Sequence, residues 1–320
     1  MNSATWRYAA RRIGQGVVVM WIVATTVFFI FRVLPGDVTS MVLGLETSEA
    51  AREALRDQLG LNDPILVQYL RWLFDLVRGD LGTSIMHGGA SVTSLVFPAF
   101  LRSLELAAVS TAVATVVAVP IGVLAATSRR RWVDSAARVV TTLGFSIPTY
   151  VLGIILILVF ALQVGVLPPG GYVPFTEDPW RHIQFLVLPV AAVSIVMAAR
   201  LTRFVRASML EEIQKDYRRT AIGKGLSRRE VFYRHCLRNS LIPLITEAGV
   251  NFGLLIGGMV IIEQIFGWPG LGWLMIQSVF GRAFEVVQAA VLLAAAALIT
   301  INVLVDLAYT RIDPRIKVSA

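Results

Sequence analysis

The feature that most constrains this chain is a series of apolar runs, each about as long as the roughly 20 helical residues needed to cross the hydrocarbon core of a bilayer. Six are found, at 13–34, 104–126, 139–162, 185–199, 241–266 and 286–309. The fourth is short and interrupted by Pro189, so its helix is expected to continue past Arg200. The first has no small-residue cleavage site after it and reads as a retained helix rather than a signal peptide.

Composition agrees. Hydrophobic residues make up 56% of the chain and charged ones 16%, against about a quarter charged in soluble domains. The mean hydropathy of +0.70 excludes disorder, which needs low hydrophobicity. One cysteine, Cys236, and 25 glycines without a three-residue period exclude disulfide-stapled and collagen-like chains. The expected fold class is an all-α polytopic membrane protein with six transmembrane helices.

The net charge of +8 raises the question of nucleic acid, and the arrangement of charge answers it. The N-terminus, the 127–138 and 200–240 loops and the tail hold 21 Lys/Arg, whereas the alternate segments hold seven. Positive charge marks cytoplasmic loops, so both termini are expected to be cytoplasmic and no nucleic-acid partner is expected.

Between the first two runs, residues 35–103 form a region without a span, expected to be extracytoplasmic. Ser48–Leu59 reads as a short polar helix, and Asp63-Pro64 opens another. Its apolar residues (Ile65, Leu66, Tyr69, Leu70, Leu73, Phe74, Val77) recur at helical spacing. That stripe fits either a helix lying at the lipid interface or on the spans, or a docking surface over a pathway. His182, in the outer loop that follows Pro168-Pro169-Gly170-Gly171, reads as interfacial rather than as a metal ligand.

The 200–240 segment carries the most information. Gly223 and Gly225 flank Lys224 and break the preceding helix. Ser227-Arg228-Arg229-Glu230 has the form of a capping box, in which Glu230 reaches back to the start of the next helix. A helix, tight turn and helix on the cytoplasmic face suit a grip by a partner, or an ordinary basic loop on anionic lipid.

No GxxxxGK[ST], HExxH, GxSxG or paired cysteine occurs, so no catalytic residue, metal site or cofactor is expected in this chain. Within the spans, Glu247 and Asn251 share a face of the fifth helix, opposite Gly249, Gly253 and Gly257. This gives a polar stripe and a small-residue packing stripe; the alternative is that Glu247 snorkels to the membrane surface. Arg32 and Asp306 are possible partners across helices. Pro120, Pro148 and Pro189 are expected to kink their helices.

The stretch DYRRTAIGKGL…RHCLRNSLIP resembles the EAA loop of ABC-importer permeases, specifically the B-type permease of dipeptide and oligopeptide importers. In order along the chain, PGD at Pro35–Asp37, LGLNDPILVQYLRWL at Leu59–Leu73, GDLGTS at Gly79–Ser84, SIPTYVLG at Ser146–Gly153, EQIFGWPGLG at Glu263–Gly272 and DPRIK at Asp313–Lys317 fit the same family. Departures are Val38 where the family often has Pro, Arg219-Thr220 where the signature has Glu-Ala, and a missing Pro before the second span.

The resemblance implies type I permease architecture in three parts. These are the N-terminus and first helix (1–34), an extracytoplasmic region (35–103) and a five-helix core (104–320) with the coupling loop at about 211–240. It implies an ATPase-coupling set of Asp216, Tyr217, Arg218, Arg219, Thr220, Ala221, Lys224, Gly225 and Leu226, and candidate pathway residues Glu247, Asn251, Glu263 and Arg102, the last alternatively an interfacial anchor. Implied partners are a second, C-type permease, two ATP-binding subunits that hold ATP and Mg, an extracytoplasmic substrate-binding protein, membrane lipid and a peptide substrate. The expected function is import of dipeptides or oligopeptides across the bacterial cytoplasmic membrane. Nickel chelates or haem are the alternative cargo, and a stand-alone secondary transporter or channel the less favoured reading.

Overall fold

In the computed structural model, which describes residues 3–33, 48–58, 60–128 and 130–312, helices follow the apolar runs but often extend beyond them. The motifs at Pro35–Asp37 and Asp313–Lys317, with Val38 and Leu59, lie outside the described residues. Helix α1 is Ser3–Val33, and two short helices follow, α2 at Glu49–Gln58 and α3 at Ile65–Val77. A small antiparallel hairpin (β1 Thr83–Ser84, β2 Ala90–Ser91) leads into α4, Val92–Thr127. The chain continues through α5 (Arg131–Ser146), α6 (Thr149–Leu156, prolonged by a π-helical stretch Ile157–Gln163) and α7 (Pro179–Gln214). Next come α8 (Asp216–Gly223), helical turns over Arg228–Glu230 and Val231–Cys236, α9 (Leu237–Gly258), α10 (Val260–Ile265), α11 (Leu271–Phe280) and α12 (Phe284–Ile312).

Among the described residues, five helices are long and apolar enough to cross a membrane, and the third run supplies a sixth span only as a bent pair. Its two arms, Trp132–Ser146 and Thr149–Gln163, meet at 95°. The kink expected at Pro148 is therefore close to a right angle. Pro148 has no N–H to continue the α5 ladder and forces the residue before it out of helical geometry; Ile147 is extended, with ψ 124°. The second span also starts earlier than expected, at Val92, so the last turns of the 35–103 region belong to α4. The expected continuation of the fourth span past Arg200 is what α7 shows, and Pro189 sits inside it unbroken.

The core is the α4–α7 pair. Along α4, Ser103, Ala107, Ser110, Ala114, Ala118 and Gly122 are buried at near-four-residue spacing, a small-residue ridge that lets helices approach closely. They meet Val193, Met197, Leu201 and Val205 of α7. At Gly122 the approach is closest: a Cβ there would lie 2.7 Å from Val205 Cβ. Ser194 Oγ donates to the Ser110 carbonyl at 3.0 Å across the same contact.

The fifth helix has the packing stripe expected of it in two of three positions. Side chains added at Gly249 and Gly253 would collide with Val305 and Leu298 of α12, while Gly257 faces open space. The α3 helix lies on α1 through an aromatic cluster of Phe28, Phe29, Tyr69 and Trp72, closed by a 2.8 Å hydrogen bond between the Thr25 and Tyr69 hydroxyls. Leu66, Leu70, Phe74 and Val77 on its other side remain exposed.

One sequence expectation about a residue pair is overturned. Asp306 pairs with Arg12 at 3.2 Å, while Arg32 stacks over Phe28. His182 is buried within the protein: its ring nitrogens lie 2.8 Å from the Val173 carbonyl and from Glu105 Oε1.

Candidate coupling and pathway site

Helix α8 is a knuckle whose two ends are both fixed by local chemistry. At its far end, Gly225 adopts φ +87°, a conformation nearly cost-free only for glycine. Its N–H bonds to the Ile222 carbonyl at 2.9 Å, and the Leu226 N–H reaches the Ala221 carbonyl at 3.3 Å. This double closure is a Schellman motif, and its usual apolar contact is present because Ala221 and Leu226 join one cluster.

At the near end the anchor is Glu212, in the last turn of α7. It accepts from Lys215 Nζ and from the Tyr217 hydroxyl, the latter at 2.7 Å. Arg218 Nη1 donates to the Ile213 carbonyl at 3.0 Å. The Glu212 hydrogen bond holds Lys215 above the usual lysine range. Burial, reinforced by the same carboxylate, pushes the Tyr217 hydroxyl above the usual tyrosine range. Tyr217, Ala221 and Leu226 pack against Met209, Val231 and Cys236.

Helical periodicity puts the rest of the set on the opposite side. Asp216, Arg219, Thr220 and Lys224 are exposed; the Asp216 and Arg219 side chains are 92% and 85% accessible, 3.7 Å apart. An ion pair so exposed adds little to stability. The next turn follows the capping-box expectation in half: Ser227 Oγ accepts from the Glu230 N–H at 3.2 Å, but the Glu230 carboxylate turns to Arg234 at 3.5 Å.

A second feature lies further into the bundle. A cavity of about 150 Å³ between α6, α7 and α9 is lined by Thr149, Met197, Arg200, Asn251 and Met259 among others. Arg200 Nη1 donates to Asn251 Oδ1, and Asn251 Nδ2 donates to Glu247 Oε1, both at 2.9 Å. Glu247 and Asn251 are thus joined directly on one face, and Asn251 is tied in addition to an arginine that the sequence reading did not single out. The available signal was a lone charge, Arg200, ending an apolar run. Glu212 was missed too, although a carboxylate followed by Lys215 and Tyr217 was a readable pattern.

Glu263 and Arg102 do not line this cavity. Glu263 is buried and accepts from Ser103 Oγ and from the Trp273 N–H at 2.9 Å. Ser103 Oγ in turn accepts from the Leu271 N–H at 2.7 Å. Arg102 donates to the Pro269 carbonyl at 3.2 Å and stacks over Tyr172, and Trp268 Nε1 donates to the Arg102 carbonyl at 3.1 Å. Both residues tie the Glu263–Gly272 turn to α4. Among the described residues, no group of three or more His, Cys, Asp or Glu is placed to hold a metal ion.

Comparison with known proteins matches this architecture. Residues 118–318 match the family described as binding-protein-dependent transport system inner membrane component, and residues 5–99 match its N-terminal counterpart. The oligopeptide transport system permease protein AppB of Bacillus subtilis (strain 168) is 36% identical over 312 residues, covering 97% of this chain and 99% of AppB. The glutathione transport system permease protein GsiC of Escherichia coli O6:H1 is 36% identical over 310 residues, covering 97% and 98%. Among solved structures, the MetNI methionine ABC transporter in inward-facing conformations aligns with TM-score 0.56 at 18% identity, covering 69% of this chain and 97% of that one. An amino acid ABC transporter solved with histidines aligns with TM-score 0.54, also at 18% identity, covering 68% and 94%. At that identity the likeness is one of fold. The chain is a multi-pass membrane protein, and it belongs to the binding-protein-dependent transport system inner membrane component family.

Proposed function

We propose that this chain is one permease subunit of an ATP-driven importer of short peptides, forming half of the pathway with a second, C-type permease. The observation that carries the reading is the α8 knuckle: its inner side is clamped by Glu212 and its outer side spends Asp216, Arg219 and Thr220 on nothing within this chain's core. A rigid handle with an idle polar face suits a groove in a partner. Two ATP-binding subunits, holding ATP and Mg, take that face from the cytoplasm, and both termini lie on that side. A binding protein delivers cargo to the opposite side.

Closure of the ATPases then moves α8 as a lever, and the lever turns α7, with which it shares the Glu212 anchor. Opening to one side or the other is a rigid-body switch, and its driving free energy lies in the contacts the ATPases gain on closing. The Arg200–Asn251–Glu247 ladder gives the pathway a cationic and an anionic group for the termini of a peptide. That cargo class is supported by the relatives named for oligopeptides and for glutathione, itself a tripeptide.

The test is uptake in proteoliposomes containing this chain, its partner permease and ATPases, with the binding protein outside. Peptide accumulation that requires ATP and every subunit is the expected result. Transport by this chain alone, or driven by an ion gradient without ATP, would overturn the proposal.

A further inference from the structure

At the membrane face that carries the basic loops, the first arm of the bent pair encloses a second cavity against α7. Its volume is about 310 Å³, and Arg138, Thr142, Thr202, Arg203 and Arg206 lie in its wall. Three guanidiniums there meet one carboxylate. Asp134 accepts from Arg206 Nε at 2.6 Å and pairs with Arg138 Nη2 at 3.0 Å. Arg203 makes no ion pair with a described residue and stacks over Phe145, 5.3 Å from the ring centroid. Asp134 thus orients two arginines and Phe145 a third, leaving N–H groups available around a pocket roomy enough to admit a phosphate and the start of its glycerol ester. Guanidinium forks match phosphate oxygens geometrically.

The helix that supplies this wall is amphipathic. Its other side exposes Trp132, Val139, Val140 and Leu143, and it stands at 95° to the arm that follows it. A helix of that kind, at right angles to a crossing segment, lies in the plane of the membrane with its apolar side among the acyl chains. That orientation sets the arginine cavity at headgroup depth.

We infer that the Arg138–Arg203–Arg206 cavity binds the phosphate of an anionic phospholipid, with its acyl chains beside the apolar side of α5. The site is independent of the transported cargo. It differs from diffuse attraction of basic loops to an anionic surface in requiring particular side chains around one phosphate.

The test is native mass spectrometry of the solubilised complex of this chain with its partner subunits, stripped of lipid and titrated with phosphatidylglycerol, phosphatidylcholine or inorganic phosphate. Phosphatidylglycerol is expected to bind in preference to phosphatidylcholine. Arg203→Gln is expected to weaken it about tenfold, as loss of a charge-assisted hydrogen bond does. Arg203→Lys is expected to lose less, and Arg229→Gln, outside the cavity on the same loop system, to change nothing. Wild-type binding in Arg203→Gln overturns the assignment. So does an equal loss in Arg229→Gln, which would make the attraction diffuse, or an equal loss in Arg203→Lys, which would make the effect one of packing. Displacement of phosphatidylglycerol by inorganic phosphate at comparable concentration would make this a site for free phosphate and overturn the lipid assignment.

Discussion

The Tyr217 hydroxyl donates to Oε2 of Glu212 at 2.7 Å, so that the first turn of α8 hangs from the last turn of α7. With the Arg218–Ile213 bond and the apolar cluster around Met209, this hydrogen bond ties the knuckle to the bundle. Tyr217→Phe keeps the ring in its apolar cluster and removes only this bond. It is expected to cost about 1 kcal/mol and to loosen coupling more than expression. The check is peptide-stimulated ATP hydrolysis against yield of membrane-inserted protein; equal stimulation in variant and wild type would deny the bond a role.

The same hydroxyl gives a pH dependence. Its proton is held more tightly folded than unfolded, so the contribution is fully present below the ordinary tyrosine range and is lost as pH rises through and beyond it. Hydrogen exchange of residues 216–226 is expected to quicken at strongly alkaline pH in the wild type and to show less of that change in Tyr217→Phe.

Asp216→Arg tests the outward face. Because its carboxylate is almost wholly exposed, the change is expected to alter the chain's own stability by no more than about 0.5 kcal/mol. Coupling to the ATPases is expected to be abolished. Normal stimulated hydrolysis in this variant would refute the docking role.

Gly225→Pro attacks the far closure. Proline fixes φ near −65°, incompatible with the observed +87°, and removes the N–H that bonds to Ile222. Insertion is expected to survive and coupled hydrolysis to vanish. Protease sensitivity confined to 216–228 would locate the damage.

The pathway ladder and the Glu263 turn should respond differently. Glu247→Gln or Arg200→Gln is expected to cut peptide uptake about tenfold, the factor for one lost charge-assisted bond, with expression maintained. Glu263→Ala leaves Ser103 Oγ and the Trp273 N–H without their acceptor and is expected to cost about 3 kcal/mol of stability, read as lower yield and thermal stability. Full uptake by the ladder variants would remove Glu247 and Arg200 from the pathway.

Much of this was legible in the sequence where it rests on local chemistry. The apolar runs located the spans, and the Gly-Lys-Gly punctuation located α8, because a left-handed C-terminus leaves a glycine behind. Pairings between distant segments were not legible. Glu105 with His182, Asp306 with Arg12 and Arg200 with Asn251 are set by how helices cross, and hydropathy carries no such information. The sharpness of the bend in the third span was hidden for a related reason: its residues are apolar enough for either a shallow kink or an elbow, and Pro148 alone does not state the angle.

That elbow has a consequence for the surrounding lipid. The arm from Thr149 to Gln163 reaches at most roughly 22 Å at helical rise, against ~30 Å of hydrocarbon. Beside this segment the bilayer must become thinner, or protein from a neighbouring subunit must fill the missing depth. Where lipid rather than a neighbouring subunit covers this arm, that flank is where membranes of different thickness would be felt first.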